Sequence, residues 1–289
     1  MKLIVTDMDG TLLDEKRSVS KENEEAIKAA QKQGAVVAIA TGRDLYEATV
    51  PLKKTGLSLP IISANGAQIH DEHGRLLHEA VLSPDQARHA MAVLKNENVY
   101  FEVYTNEGVY SDDFEAGLAV VVDVLKSTGA KLSEQEIMTF AKDRFDNGSI
   151  KLIDCYEKLL EDGAVVLKLL AFSLDAKRLM SARDRLELDK NFAVSASAAD
   201  NLEITDVNAQ KGIAVERLAQ SLGISPKDVM AVGDNFNDVS MFQKAGLAVA
   251  MGNAPGEIQK QADLVTKTND EHGVAYAIRN YALKKQSLL

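Results

Sequence analysis

Four short clusters carry residue types that can do chemistry. The first is Asp7-Met8-Asp9-Gly10-Thr11, directly after the apolar run Leu3–Thr6. Two carboxylates two residues apart in extended chain point the same way. Unpaired, they repel and one takes up a proton, and a divalent cation removes that conflict. Gly10 lets the backbone turn sharply. An acidic turn explains the pentapeptide equally well. The second cluster is Thr41-Gly42-Arg43, after the apolar run Ala35–Ala40. A hydroxyl, an approachable N–H and a guanidinium suit a phosphate oxyanion, although a strand-to-helix turn would use the same residues. The third is Gly233-Asp234-Asn235-Phe236-Asn237-Asp238, after Val229–Val232, with two more carboxylates and two amides. A calcium loop of the EF-hand type would need an oxygen ligand at Phe236 and glycine at Val239, so that reading fails and a helix cap is the plain alternative. The fourth is Lys211-Gly212, ahead of a helix whose apolar stripe includes Ile213, Val215, Leu218 and Leu222. A lysine is ordinarily solvated.

These clusters need elements to position them. Leu3–Thr6, Ala35–Ala40 and Val229–Val232 do not alternate with polar residues, as expected of parallel strands covered on both faces. Helical patterns lie between them. Ser20 caps one running to Gln33, with Glu22, Glu24 and Glu25 in its first turn, and Ser225-Pro226 is another start signal. Leu247–Ala250 and Leu264–Val265 are further strands. Strand and helix alternating at both ends of the chain predict an α/β fold, a doubly wound and mainly parallel sheet, whose carboxyl edge is where ligands bind.

The middle differs. Ile61–Ser63, a hairpin around Asp71–Gly74, a capping box at Ser83-Pro84-Asp85-Gln86 and a second hairpin around Asn106-Glu107-Gly108 are followed by helices at about 114–126 and 134–141. A strand at Val165–Phe172, a helix at Asp175–Leu188 and a strand at Phe192–Ser197 complete it. This reads as an α+β unit over residues 83–197, inserted into a core made of 1–82 and 198–289.

Composition sets the outer limits. The chain has 289 residues, suiting one large or two modest domains, and a net charge of −10. Such a charge repels a phosphate backbone and argues against nucleic acid as partner. Cys155 is the only cysteine, so no disulfide and no cysteine-based zinc site is expected, which suits a reducing compartment. No apolar run approaches the length of a signal peptide or membrane helix. A cytoplasmic protein without a membrane partner is expected, and its oligomeric state is not legible.

Taken together and in order, Asp7-x-Asp9-Gly10-Thr11, Thr41, Lys211 and Gly233-Asp234-x-x-Asn237-Asp238 resemble the motifs of the haloacid dehalogenase-like superfamily of phosphatases. The resemblance spans essentially the whole chain. The insert resembles the type 2 cap, and Ala40-Thr41-Gly42-Arg43, Ser63-Ala64-Asn65-Gly66-Ala67 and Lys211-Gly212 look like the Cof-type subfamily. The resemblance implies hydrolysis of small phosphate esters, sugar phosphates foremost and nucleotide monophosphates among the alternatives. Asp7 would be the nucleophile, forming an aspartyl-phosphate. Asp9 would be the acid–base, protonated in the first step and ionised in the second. Mg²⁺ would be held by Asp7, Asp234 and the Asp9 carbonyl. Thr41, Lys211, Asn237 and the N–H groups of Met8 and Gly42 would stabilise the transferring phosphoryl group. Asp238 would orient Lys211 or a metal-bound water, Asn65 is a further candidate, and Arg43 would face substrate or anchor its helix. The cap would set leaving-group preference.

The second acid at Asp9 disfavours carbon–halogen cleavage. A sugar phosphomutase keeps the same motifs and remains open. A phospho-acceptor signalling module is more remote, because such modules are shorter and place their lysine last. Outside the motifs, His70, His73 and His78 read as an exposed hairpin tip, Cys155 as packing, and Lys168 as lying on a solvated sheet face in preference to pointing toward substrate.

Overall fold

The structure, a computed structural model, describes residues 1–127, 133–196 and 198–283. It divides into two compact units, one made of Met1–Ala80 with the chain from Asn208 onward, the other of Val81–Val207. In chain order the first unit opens with β1 (Leu3–Thr6), β2 (Val36–Ala40), β3 (Ile61–Ser63), β4 (Gln68–His70) and β5 (Leu76–Glu79). The second unit supplies β6 (Tyr100–Thr105), β7 (Gly108–Ser111), β8 (Ile150–Leu152), β9 (Val166–Phe172), β10 (Phe192–Ser195) and β11 (Asn201–Asp206). The chain then returns to the first unit with β12 (Val229–Gly233), β13 (Leu247–Ala250) and β14 (Leu264–Val265).

The first unit is an eight-stranded sheet in the order β14-β13-β12-β1-β2-β3-β4-β5. Its strands from β14 to β3 run parallel, and β4 and β5 fold back as an antiparallel edge. Leu3, Ile4, Val5 and Thr6 are all buried, which accounts for an unbroken apolar strand: helices cover both of its faces. One face packs with Ile27, Ala30 and Val274, the other with Val215, Leu218 and Met241. The helix Lys21–Lys32 begins where Ser20 accepts the Asn23 N–H. Register pairs Thr6 with Ile39 on one side and Val232 on the other. The residues that follow β1, β2 and β12 therefore emerge together at one sheet edge.

The second unit is a six-stranded sheet in the order β10-β11-β9-β6-β7-β8, antiparallel except between β7 and β8. The helices Pro84–Asn96 and Ala176–Glu187 cover one face, burying Ala90, Leu94, Ala182 and Leu186 against Phe101, Val103, Leu169 and Ala171. The capping box at Ser83 and Gln86 forms as expected.

Several expectations need correction. The segment 83–197 leaves out β11, which the structure pairs between β9 and β10. Leu202 and Ile204 alternate with polar residues there, the pattern of a strand with one apolar face, not of a doubly covered one. Ser197, given as the end of a strand, lies outside the described residues. Lys168 is not on a solvated face. It is 3% exposed, with Nζ 3.4 Å from Glu203 and 4.6 Å from the centre of the Tyr104 ring. Its carboxylate partner sits on β11, the strand that was missed. His70 is buried while His73 is exposed, and His78 meets Arg217 instead of standing in a tip. Cys155 is exposed, not packed. The start signal at Ser225-Pro226 is met, with Ser225 at the cap position and Pro226 opening a single turn, Pro226–Asp228, before β12. No helix among the described residues is long and apolar enough to cross a membrane.

Candidate active site

Asp7 leaves β1 with its N–H donating to the Val232 carbonyl at 2.9 Å and its side chain buried. The chain then turns through Met8–Leu12, with Gly10 at φ +72°. A Cβ on Gly10 would lie 2.5 Å from Oδ2 of Asp234, so glycine is required both for the turn and for the approach. Thr11 Oγ1 donates to Asp234 Oδ1 at 2.6 Å, and Asn253 Nδ2 donates to the Gly10 carbonyl at 2.8 Å.

Lys211 opens the helix Lys211–Ser221 and is 1% exposed. The next residue lets it come close. A Cβ on Gly212 would sit 2.0 Å from the Ser240 carbonyl oxygen, and the Gly212 N–H donates to Ser240 Oγ at 3.0 Å. Lys211 Nζ donates to Oδ1 of Asp7 and to Oδ1 of Asp238, both at 2.6 Å. The other Asp238 oxygen accepts the N–H groups of Asp234 at 2.8 Å and Asn235 at 3.0 Å. A side chain on Gly233 would collide with that carboxylate at 2.5 Å.

Burial pushes the Asp7 carboxyl well above the usual carboxylate range. Lys211 opposes the shift, and Asp238 and Asp234 add to it. Asp234 is raised to about 6, again by burial first, with the Thr11 hydroxyl pulling the other way. Burial alone would discharge Lys211, but Asp238 and Asp7 outweigh it and hold the ammonium above its ordinary range. One oxygen each from Asp7, Asp234 and Asp238 lie within 4.8 Å of one another. When all three ionise, a single ammonium faces them, and two negative charges are left over. That deficit and the hard oxygen donors fit one divalent cation. Asp238 spends its oxygens on Lys211 and two N–H groups, so Oδ2 of Asp7 and Oδ2 of Asp234 are the donors left to face it.

Asp9 is placed otherwise than the sequence suggested. Its carboxylate is 56% exposed and accepts Nε and Nη2 of Arg43, at 2.7 and 2.5 Å. The chain turns instead of staying extended, and the guanidinium fork is the stronger partner. Asp238 takes the place in the carboxylate cluster expected of a second early acid. Arg43 is half-buried and held charged mainly by Asp9, against its burial. Thr41 Oγ1 accepts the Arg43 N–H at 3.2 Å, and Gly42 lies in that turn. The Thr41 carbonyl accepts the N–H of Asn65, a buried residue at φ +58°. Asn237 Nδ2 donates to Asn65 Oδ1 at 3.3 Å, which ties the turn after β3 to the one after β12. Met8 turns its side chain into the core.

A family model described as haloacid dehalogenase-like hydrolase matches residues 4–278. The chain belongs to that family. It is a hydrolase of phosphate monoesters of the Cof type. It is 39% identical over 279 residues to 5-amino-6-(5-phospho-D-ribitylamino)uracil phosphatase YwtE of Bacillus subtilis, covering 96% of this chain and 97% of the relative. It is 36% identical over 283 residues to phosphatase YwpJ of the same organism, covering 97% and 99%. A solved haloacid dehalogenase-like hydrolase from B. subtilis superposes with a TM-score of 0.86 at 36% identity, over 97% of this chain and all of that one.

In this haloacid dehalogenase-like hydrolase, three contributors escaped the sequence reading of the site. Thr11 was seen only as the end of a motif, not as the group that holds Asp234. Ser240 and Asn253 have no local signal, because what they do depends on contacts across the fold with Gly212 and Gly10.

Proposed function

We propose that this hydrolase is a Mg²⁺-dependent, cytoplasmic phosphatase of small phosphate monoesters, sugar phosphates foremost, working through an aspartyl-phosphate on Asp7. The observation that carries the reading is the buried Lys211 bonded to both Asp7 and Asp238. Lys211 opposes the protonation that burial favours at Asp7, and the pair lies at a sheet edge that also carries Thr41, Asn237 and Asp234. The relative YwtE is named for a substrate whose phosphate sits on a ribityl chain, which supports a sugar-derived leaving group.

In the first step an Asp7 oxygen bonds to phosphorus, the ester P–O bond breaks, and Asp9 gives its proton to the departing alkoxide. In the second, water attacks the aspartyl-phosphate, Asp9 takes the water's proton, and inorganic phosphate leaves with Asp7 restored. Lys211, Asn237, the Thr41 hydroxyl and the N–H groups of Met8 and Gly42 stabilise charge on the phosphoryl oxygens. Asp7, Asp234 and the Asp9 carbonyl would hold the cation, which supplies the positive charge that lets carboxylate and phosphate approach.

The test is phosphate release from a panel of sugar phosphates and nucleotide monophosphates, with Mg²⁺ and after chelation, beside Asp7→Asn. Release that needs Mg²⁺ and is lost in a folded variant is the expected result. Substantial turnover by Asp7→Asn would reject the nucleophile, and full activity after exhaustive chelation would reject the metal.

A further inference from the structure

A groove of about 790 Å³ opens beside Asp9, lined in part by Lys16, Arg17, Arg43 and Lys54. In a chain of net charge −10 this is a local excess of positive charge. Lys16 and Arg17 stand on a turn with a defined shape. Asp14 accepts the N–H groups of Lys16 at 3.0 Å and Ser18 at 2.9 Å through its carboxylate, and that of Arg17 at 2.9 Å through its carbonyl. Leu13 and Val19 bridge the base of the turn. Arg17 takes φ +55°, a cost for a non-glycine residue. Among the described residues no carboxylate lies within ion-pair distance of Lys16, Arg17 or Lys54. The acids in the lining do not cancel them. Asp9 is on Arg43, Glu24 is on Lys28, and Glu47 adds to the field that holds Arg43 charged.

The pairing of Asp9 with Arg43 gives this groove a chemical meaning. In that pair the Asp9 carboxylate occupies both donors of the Arg43 fork. An anion that takes the Arg43 fork in exchange would release it. Asp9 also lines the groove, so a leaving group protonated by Asp9 stands at its mouth.

We propose that the groove is a subsite for a second anionic group on the leaving group, a carboxylate or a phosphate, gripped by Lys16, Arg17 and Lys54 and completed when Arg43 exchanges Asp9 for it. This assigns a substrate class: phosphate esters with a second anion. It rests on the reading of Asp9 as the acid–base. The Asp9–Arg43 pair is then a contact that such a substrate opens.

The experiment compares kcat/KM for 6-phosphogluconate with glucose 6-phosphate, and for fructose 1,6-bisphosphate with fructose 6-phosphate. The two pairs separate a carboxylate from a phosphate. Each is measured in the wild type and in the triple variant Lys16→Ala, Arg17→Asn, Lys54→Ala, with Asn at 17 because it tolerates positive φ. The wild type should favour the ester with the second anion in at least one pair, and the variant should lose about tenfold of that preference, the sum of three modest exposed charge contacts. No preference in the wild type, or one that the variant keeps, overturns the subsite while turnover leaves the phosphatase reading standing. Calorimetric binding to Asp7→Asn separates the two ideas from the other side. Tighter binding of 6-phosphogluconate than of glucose 6-phosphate supports the subsite even where neither ester turns over, and equal binding overturns it.

Discussion

Asp234→Asn should stabilise the metal-free protein at neutral pH while costing it metal binding. Asp234 in the folded chain is held at about 6 against an ordinary 3.8. Its folded value is raised above its unfolded one. Below pH 4 the carboxyl is protonated whether folded or not, and its contribution to stability is complete. As pH rises through 6 the folded protein must give up a proton that the unfolded chain lost earlier, and stability falls. The difference corresponds to about 3 kcal/mol, or about 2 after allowing for solvent that still reaches a half-buried group. Asparagine carries no charge at any pH and can still accept the Thr11 hydroxyl. The assay is urea denaturation in chelator between pH 4 and 8. The stability gap between variant and wild type should open by about 2 kcal/mol across that range in favour of the variant, and saturating Mg²⁺ should close or reverse it by stabilising only the wild type. A gap that stays flat with pH would show that burial of Asp234 exerts no such strain.

Lys211→Met should cost stability at neutral pH by about 3–5 kcal/mol, because it leaves Asp7 and Asp238 buried without a counter-charge; denaturant midpoints read this, and the loss should shrink as pH falls and Asp7 takes up a proton. Gly212→Ala should cost about 3 kcal/mol or more, since its Cβ would stand 2.0 Å from a backbone oxygen that cannot swing aside; a melt within a degree or two of wild type would mean that the helix Lys211–Ser221 slides freely.

The parts of this protein that were legible in its sequence are local. An unbroken apolar run followed at once by Asp7, Thr41 or Asp234 announces a doubly covered strand and its edge, and β1, β2 and β12 are where such runs predict them. What stayed hidden depends on partners distant in the chain. β11 alternates apolar and polar residues, and without it Glu203 has no place and Lys168 reads as a solvated residue. Asp9 and Arg43 are 34 residues apart, and nothing near either says that the fork closes on that carboxylate. Asp238 is the reverse case. Its place beside Lys211 was expected from motif resemblance, but its bonds to the N–H groups of Asp234 and Asn235 come from a turn whose shape the sequence does not print.

The glycines explain why the motifs of this site occur as pairs. Asp7, Asp234, Asp238 and Lys211 can gather only if the backbone comes closer than a Cβ allows. Gly10 makes room for the Asp234 carboxylate, Gly233 for that of Asp238, and Gly212 for the backbone of Ser240. Each stands one residue from a charged group of the site: Asp9-Gly10, Lys211-Gly212, Gly233-Asp234. The charged residue makes the contact, and the glycine leaves the space for it. A lone aspartate or lysine in this chain is uninformative, as Lys168 and the many surface acids show. A charged residue coupled to a glycine at the end of a buried parallel strand, or at the start of the helix that faces it, is a group being brought into close contact with another charge. Such contact is costly, and burial shows that cost by raising the carboxyls of Asp7 and Asp234. The arrangement that brings these charges together therefore holds the protein below its attainable stability.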